Sequence, residues 1–77
     1  MKNFVEYLLV RLVDHPDDLS VTEEETPEGL LIKIHVHPDD MGRVIGRAGK
    51  IIKSVRKLVQ VKAAKDNLRV KVVLDEE

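Results

Sequence analysis

Hydrophobic residues recur with a helical spacing near the start of the chain. Asn3 is a suitable cap for such a helix. Pro16 is expected to end it at His15, because a residue before proline is pushed out of the α region. The apolar positions that would lie on one side of this predicted first helix, residues 3–15, are Phe4, Val5, Leu8, Leu9, Leu12 and Val13.

The next two segments predict a β-hairpin. Residues 19–26 read as a strand whose three glutamates, at 23–25, suit a sheet edge because edge charges deter pairing with other chains. Residues 26–29 contain the turn-formers proline and glycine. Residues 30–36 alternate between apolar and other side chains, which predicts a strand with one face in the core; its apolar positions are Leu30, Ile32, Ile34 and Val36.

Two further helices and a last strand complete the pattern. Pro38 suits the first position of a short second helix that ends before Gly46. A third helix is expected from Gly49 to about residue 64, followed by a strand over residues 68–74 and a disordered acidic tail at 75–77. The apolar arc predicted for the third helix consists of Ile51, Ile52, Val55, Leu58, Val59 and Ala63.

The order of these elements predicts the fold class. A strand, two helices and a strand form a crossover that makes the last strand parallel to the second, whereas the hairpin makes the first strand antiparallel. We therefore predict an α+β fold in the order α-β-β-α-α-β, with a three-stranded mixed sheet covered on one face by three helices. At 77 residues we expect a single domain, residues 1–77.

Composition narrows the class of protein. The chain contains no cysteine, so disulfides and thiolate zinc sites are excluded. It has no apolar run near the roughly 20 residues of a membrane span, and its start lacks the apolar block of a signal peptide. We expect a soluble cytoplasmic protein without a membrane partner, a cofactor or a small-molecule substrate.

The two halves of the chain differ in charge although the net charge is only -1. Residues 1–41 contain 3 Lys/Arg and 10 Asp/Glu, which gives -7, whereas residues 42–77 contain 10 and 4, which gives +6. No acidic residue lies between Gly42 and Lys65. Because binding responds to the local field within about 8–10 Å, this asymmetry indicates one surface suited to an anion.

Three of the four glycines lie within residues 42–49, where they indicate a tight turn between two helices. A Walker loop and a dinucleotide fingerprint both require a glycine where Val44 stands. A helix-turn-helix DNA reader also has a short turn before a basic helix, but the predicted crossover packs that second helix on a sheet.

The segment from Val44 to Ile52 reads Val-Ile-Gly-Arg-Ala-Gly-Lys-Ile-Ile and resembles the V-I-G-x-x-G-x-x-I signature of KH domains. The surrounding element order resembles the type II, largely prokaryotic arrangement over nearly the whole chain, and the length is similar to that of the small bacterial KH proteins of the KhpA family. This resemblance implies binding of single-stranded RNA with low sequence specificity, as an RNA chaperone or post-transcriptional regulator in the cytoplasm. It also implies association with a KhpB (Jag-like) KH protein or with itself, and effects on cell shape, cell division and envelope growth.

A binding mechanism also follows from the residues themselves. Without side chains at Gly46 and Gly49, an RNA backbone can approach the turn and the amides at the start of the third helix closely. Ile45 and Ile52 are expected to form an aliphatic floor for the bases. The predicted backbone-binding set is Gly46, Arg47, Ala48 and Gly49 in the turn, with Arg43, Lys50, Lys53 and Lys57 extending the positive charge.

Other functions have weaker support in the sequence. Neither a nucleophile paired with a base nor a zinc set is apparent, so we predict no enzyme and no metal site; His35 and His37 share a strand face without a third ligand. The main alternative is a protein-interaction module with the same fold and little RNA affinity, indicated by the acidic first half and by Tyr7 and Val10 outside the apolar stripe. A DNA-binding variant is a further alternative.

Overall fold

Three strands form one sheet, and three α-helices pack on one of its faces. The computed structural model describes residues 1–75. The main elements are α1 (Lys2–Leu9), β1 (Ser20–Thr26), β2 (Gly29–His35), α2 (Met41–Ile45), α3 (Lys50–Lys65) and β3 (Val70–Asp75). Short 3-10 helices at Pro16–Asp18, Pro38–Asp40 and Arg47–Gly49 precede β1, α2 and α3.

The sheet has the predicted topology. β1 pairs antiparallel with β2, in a register that aligns Ser20 with His35 and Thr26 with Gly29. β3 pairs parallel with β2 on its other side, aligning Leu30 with Val70. The predicted α+β class, element order and mixed sheet are therefore confirmed. Among residues 1–75, the helices fall short of the length and apolar character needed to cross a membrane.

The core lies between the sheet and the helices. Ile32 and Ile34 of β2 are fully buried there. They belong to one hydrophobic cluster with Val59 of α3, Val44 of α2 and Leu9 of α1. Burying each such side chain stabilises the fold by about 1.5–3 kcal/mol before the cost of chain ordering. α2 has only five residues, and an isolated helix of that length is unstable, so packing holds the helix that leads into the glycine turn.

The first helix is shorter than predicted. Met1, not Asn3, is its N-cap, and α1 ends at Leu9 rather than near His15. The amide of Leu12 donates to the Leu9 carbonyl at 2.9 Å, a tighter spacing that ends the α-helix. The apolar spacing beyond Leu9 still predicted burial correctly, because Leu12 and Val13 pack against the core.

Three other boundaries or positions differ from the predictions. Leu58, placed in the apolar arc of α3, is 48% exposed because the sheet covers a narrower stripe of the helix. The last strand begins at Val70 rather than Leu68. Asp75, expected in the disordered tail, is the last residue of β3 and lies opposite His35; residues 76 and 77 of that tail lie outside the described residues.

Candidate functional site

The glycine turn joins α2 to α3 through backbone conformations that favour glycine. Gly46 has φ 75° and ψ 176°, and Gly49 has φ 74° and ψ 16°. Ala48 between them is also left-handed, at φ 55° and ψ 26°, although an L residue with a side chain is strained there. The turn therefore joins the two helices within four residues and leaves Arg47 and Ala48 exposed at its tip.

The two signature glycines are required for different reasons. A Cβ on Gly46 would lie 2.6 Å from Ile51 Cγ1, which is too close for any real contact. A Cβ on Gly49 would meet nothing nearer than Lys53 Cε at 3.9 Å. Gly46 thus allows close packing of the turn on α3, whereas Gly49 allows only the left-handed backbone.

Part of the backbone around the turn is already hydrogen-bonded internally. The Gly46 amide donates to the Gly42 carbonyl at 2.9 Å, and the Gly49 amide donates to the Gly46 carbonyl at 3.2 Å. The Lys50 amide donates to the Arg47 carbonyl. Of the amides at the start of α3 that the sequence predicted to be bare, the Lys50 amide is therefore bonded within the turn. Positive charge at the turn comes from the exposed side chains of Arg47 and Lys50.

A row of cations continues from the turn along α3. Arg47, Lys50, Lys53 and Lys57 are all exposed. The spacing of three or four residues keeps the lysines on one side of the helix, and the rise per residue spreads Lys50 and Lys57 over about 10 Å. Among residues 1–75, none of the ion pairs includes these four side chains.

Arg43 stands apart from this row. Its Nη2 lies 2.8 Å from Asp14 Oδ2, and its Nε lies 3.7 Å from Asp40 Oδ1. The guanidinium is still half-exposed. The structure therefore gives Arg43 a role in joining α2 to the segment after α1, and its predicted contact with RNA stays a prediction.

Asp40, the last residue of the 3-10 helix before α2, is a buried acid. It is fully buried, and its two oxygens accept the amide protons of Asp14 and His15, both at 2.9 Å. Burial by itself would raise the pKa of Asp40, but these two amides and the nearby His15 and Arg43 charges outweigh it and hold the pKa below its ordinary value of 3.8. Asp40 thus fixes the chain segment behind α2.

An open groove of about 500 Å³ begins beside the turn and runs between α3 and β3. Ile45, which is half-buried, and Ile52, which is 6% exposed, lie at its end near the turn. The structure thus brings the two predicted floor residues together, with Ile52 mainly a core residue. The remaining lining residues are Arg56, Gln60, Val70, Lys71, Val72, Val73 and Leu74.

Two polar side chains in the groove were missed by the sequence analysis. Arg56 Nε donates to the Val72 carbonyl at 3.3 Å, and Gln60 Nε2 donates to the Val70 carbonyl at 2.7 Å. Both therefore bridge α3 to the free edge of β3. Their positions four and eight residues after Ile52 were a usable signal, because this spacing follows one side of a helix.

Together, a helix, a GXXG turn and a helix inserted between two parallel strands, in the order α-β-β-α-α-β, define the KH domain of type II. Comparison with known proteins makes the assignment specific, because the profile of the KhpA/KhpB KH domain family matches residues 2–74. The chain belongs to that family. No solved structure matches the chain significantly.

Relatives of similar length support the family assignment. The RNA-binding protein KhpA of Halalkalibacterium halodurans is 46% identical over 72 residues, covering 94% of this chain and 95% of its own. The protein of that name from Clostridium perfringens is 42% identical, with coverages of 94% and 96%. The one from Listeria monocytogenes serovar 1/2a is 38% identical, covering 99% of this chain and all of its own.

Proposed function

We propose that this protein binds single-stranded RNA with low sequence specificity through the glycine turn. One observation carries the proposal: an exposed turn with Arg47 and Ala48 at its tip lies between a row of cations and the end of a groove that is lined there by Ile45 and Ile52. A phosphate chain needs close approach and positive charge, and unstacked bases need an apolar surface. These requirements meet at the turn.

The division of labour within the site follows from its chemistry. Arg47, Lys50, Lys53 and Lys57 contact phosphates, which position the RNA without reading its sequence. About four nucleotides fit a clamp of this kind, with their bases against Ile45. The only aromatic residues, Phe4 and Tyr7, are both in α1, so the stacking that strengthens other RNA folds is missing from the turn. Affinity should therefore be modest and sensitive to salt.

A double variant of the turn tests the proposal. Arg47→Asp with Ala48→Asp places two carboxylates at the exposed tip, and binding of unstructured RNA should be lost because they repel phosphates. Aspartate tolerates the left-handed conformation at position 48, so circular dichroism and thermal unfolding should stay close to those of the unmodified protein. Fluorescence anisotropy with a short labelled RNA measures the affinity.

A matched control separates the turn from total charge. Arg11→Asp with Ser20→Asp produces the same change in net charge at exposed positions in the segment after α1 and in β1. This variant should keep most of its RNA affinity. If the turn variant binds RNA as well as the unmodified protein does, or if the control loses affinity equally, the mechanism is wrong.

The wider role that we propose rests on the family. The relatives named above are called RNA-binding proteins, which supports an RNA-binding, non-enzymatic role for this chain as well. A cytoplasmic location, RNA chaperone activity and effects on cell division, cell shape and envelope growth form part of the same proposal. Sequencing of RNA crosslinked to the protein in cells would test the targets.

A second candidate function is that of a protein-interaction module, in a homodimer or with a KhpB-type KH protein. Exposed apolar side chains favour it: Tyr7 is 58% exposed, Val61 53% and Leu58 48%. Surface apolar residues are common, however, and only a contiguous patch marks an interface. Light scattering of the purified chain, alone and mixed with a KhpB-type protein, tests this function, and a monomer that binds RNA but no such partner would contradict it.

A further inference from the structure

Two histidines meet where two similar segments of the chain lie side by side. The tetrapeptide His-Pro-Asp-Asp occurs at residues 15–18 and again at 37–40, and each copy forms a 3-10 helix after its histidine. The rings of His15 and His37 stack with centroids 4.0 Å apart and planes inclined by 25°. The carboxylate of Asp39 lies beside them, so that one ligand atom from each of the three side chains lies within 4.8 Å of the other two.

We propose that His15, His37 and Asp39 bind a zinc-type divalent metal ion, with water completing the coordination. Two imidazoles and a carboxylate are the donors of many zinc sites, at 2.0–2.2 Å from the ion. Tetrahedral geometry at these lengths separates neighbouring ligand atoms by about 3.4 Å. His37 Nδ1 and Asp39 Oδ2 are already 3.8 Å apart, so this pair is close to the required spacing.

The ligand atom of His37 is prepared for a metal by its present hydrogen bond. Its Nδ1 accepts the Asp39 amide proton at 3.0 Å, so the neutral ring carries its own proton on Nε2 and keeps a lone pair at Nδ1. A metal ion would replace the amide proton as the partner of that lone pair. Because Asp39 is exposed, water can then solvate its amide.

The other histidine is held in place without the metal. The buried carboxylate of Asp40 accepts the backbone amide of His15 at 2.9 Å, which fixes this residue beside the second His-Pro-Asp-Asp segment. Ligands from two distant parts of the chain are thus brought together by folding, which lowers the ordering cost of binding. Binding requires the half-buried His15 ring to rotate out of its stacked orientation on His37, so that both lone pairs point at the ion. The gap between ligand atoms that this rotation must close is at most about 1.4 Å for the geometry above.

The test is titration of the protein, without a histidine tag, with zinc chloride in a calorimeter. We expect saturable binding of one ion per chain. The melting temperature should rise by roughly 5–10 °C when free zinc is ten times the dissociation constant. The chain offers a matched control in His35, which is half-exposed, pairs with Asp75 at 3.6 Å and lies outside the cluster.

Four variants decide whether these residues form the site. His15→Ala and Asp39→Asn should each weaken zinc binding at least tenfold, as should His37→Asn, whose amide oxygen can still accept the Asp39 amide proton and so preserve the turn. His35→Ala should bind within twofold of the unmodified protein. Three results would overturn the proposal: no saturable binding, an equal loss in His35→Ala, or unchanged binding in both His15→Ala and His37→Asn. Because the metal ligands do not include the glycine turn, the RNA proposal stands or fails separately.

Discussion

Replacing Gly46 by alanine should destabilise the protein much more than the same change at Gly49. At Gly46 the backbone has φ 75° and ψ 176°, a region that is essentially restricted to glycine and costs other residues about 1–3 kcal/mol. The new Cβ would also lie 2.6 Å from Ile51 Cγ1. Relieving this overlap requires Ile51 or the turn to shift, at a typical cost of about 1–3 kcal/mol.

Together these two costs lower the free energy of unfolding by about 2–6 kcal/mol. The alanine chain also has a lower entropy when unfolded, which offsets about 0.4–1 kcal/mol of that loss. At Gly49 the new Cβ would lie in open space, so only the left-handed backbone lowers the free energy of unfolding, by about 1–2 kcal/mol. The entropy of the unfolded chain offsets the same amount as at Gly46. In a domain of this size the melting temperature falls by about 4–8 °C for each kcal/mol lost from the free energy of unfolding. With mid-range values of about 4 and about 1.5 kcal/mol, the melting temperature of Gly46→Ala should fall about 10–20 °C below that of Gly49→Ala.

Thermal unfolding followed by circular dichroism measures both variants, and a double-mutant cycle identifies the cause. Ile51→Ala removes Cγ1 at 2.6 Å and Cδ1 at 2.9 Å from the new Cβ but keeps the Ile51 Cβ, also at 2.9 Å. In this background the penalty of Gly46→Ala should shrink in part. Equal melting temperatures for the two glycine variants would refute the steric argument. A penalty that is unchanged by Ile51→Ala would show that Cγ1 and Cδ1 contribute nothing to it, and would leave backbone strain and the Ile51 Cβ contact as its causes.

Three further predictions concern the surroundings of the turn. Asp40→Asn should be less stable than the unmodified protein at neutral pH, because an amide cannot accept both backbone protons. The pKa of Asp40 is lowered in the folded state. The stability that its carboxylate contributes is therefore fully present above pH 3.8 and is lost as pH falls through the lower pKa of the folded protein. Urea unfolding between pH 7 and 2 should therefore show the difference shrinking in acid, and a constant difference would contradict this. Four phosphate contacts predict a slope of about -2.8 for log affinity against log salt with single-stranded RNA. Lys57→Gln should reduce the magnitude of this slope by about 0.7. An unchanged slope would show that Lys57 does not contact a phosphate. Ala48→Gly should raise the melting temperature slightly, because relief of the left-handed alanine exceeds the added entropy of the unfolded chain. A lower melting temperature in calorimetry would contradict this.

Much of the fold could be predicted because it depends on local patterns. Alternation in residues 30–36 marked the central strand, whose Ile32 and Ile34 are fully buried. The predictions failed where a pattern continued past the element that it described. Leu12 keeps the helical spacing but follows a tighter turn, and Leu58 keeps the apolar arc but extends beyond the area that the sheet covers.

In the candidate site, too, the features that depend on local patterns could be predicted and those that depend on packing could not. Gly46 and Gly49 could be identified from the sequence because the turn needs φ values of 75° and 74°, which suit glycine far better than other residues. The row of lysines could be identified because helix geometry alone places them on one side of α3. Arg56 and Gln60 were missed because their partners are carbonyl groups of β3, more than a helical turn away along the chain. Their spacing after Ile52 places them on one side of α3, but only the packing of α3 on the sheet shows that this side reaches the edge of β3.

The sequence by itself determined the element order, the glycine turn and the division of charge, since all three depend on neighbours in the chain. Tertiary structure alone decided the role of Asp40, which accepts amides from Asp14 and His15, and the stacking of His15 on His37. Although His15 and His37 each begin a His-Pro-Asp-Asp tetrapeptide, residues so far apart in the chain have no spacing that predicts their contact. They meet because folding buries the apolar faces of α1, α2 and the sheet in one core, and that common burial sets the distances between the polar groups at its edge.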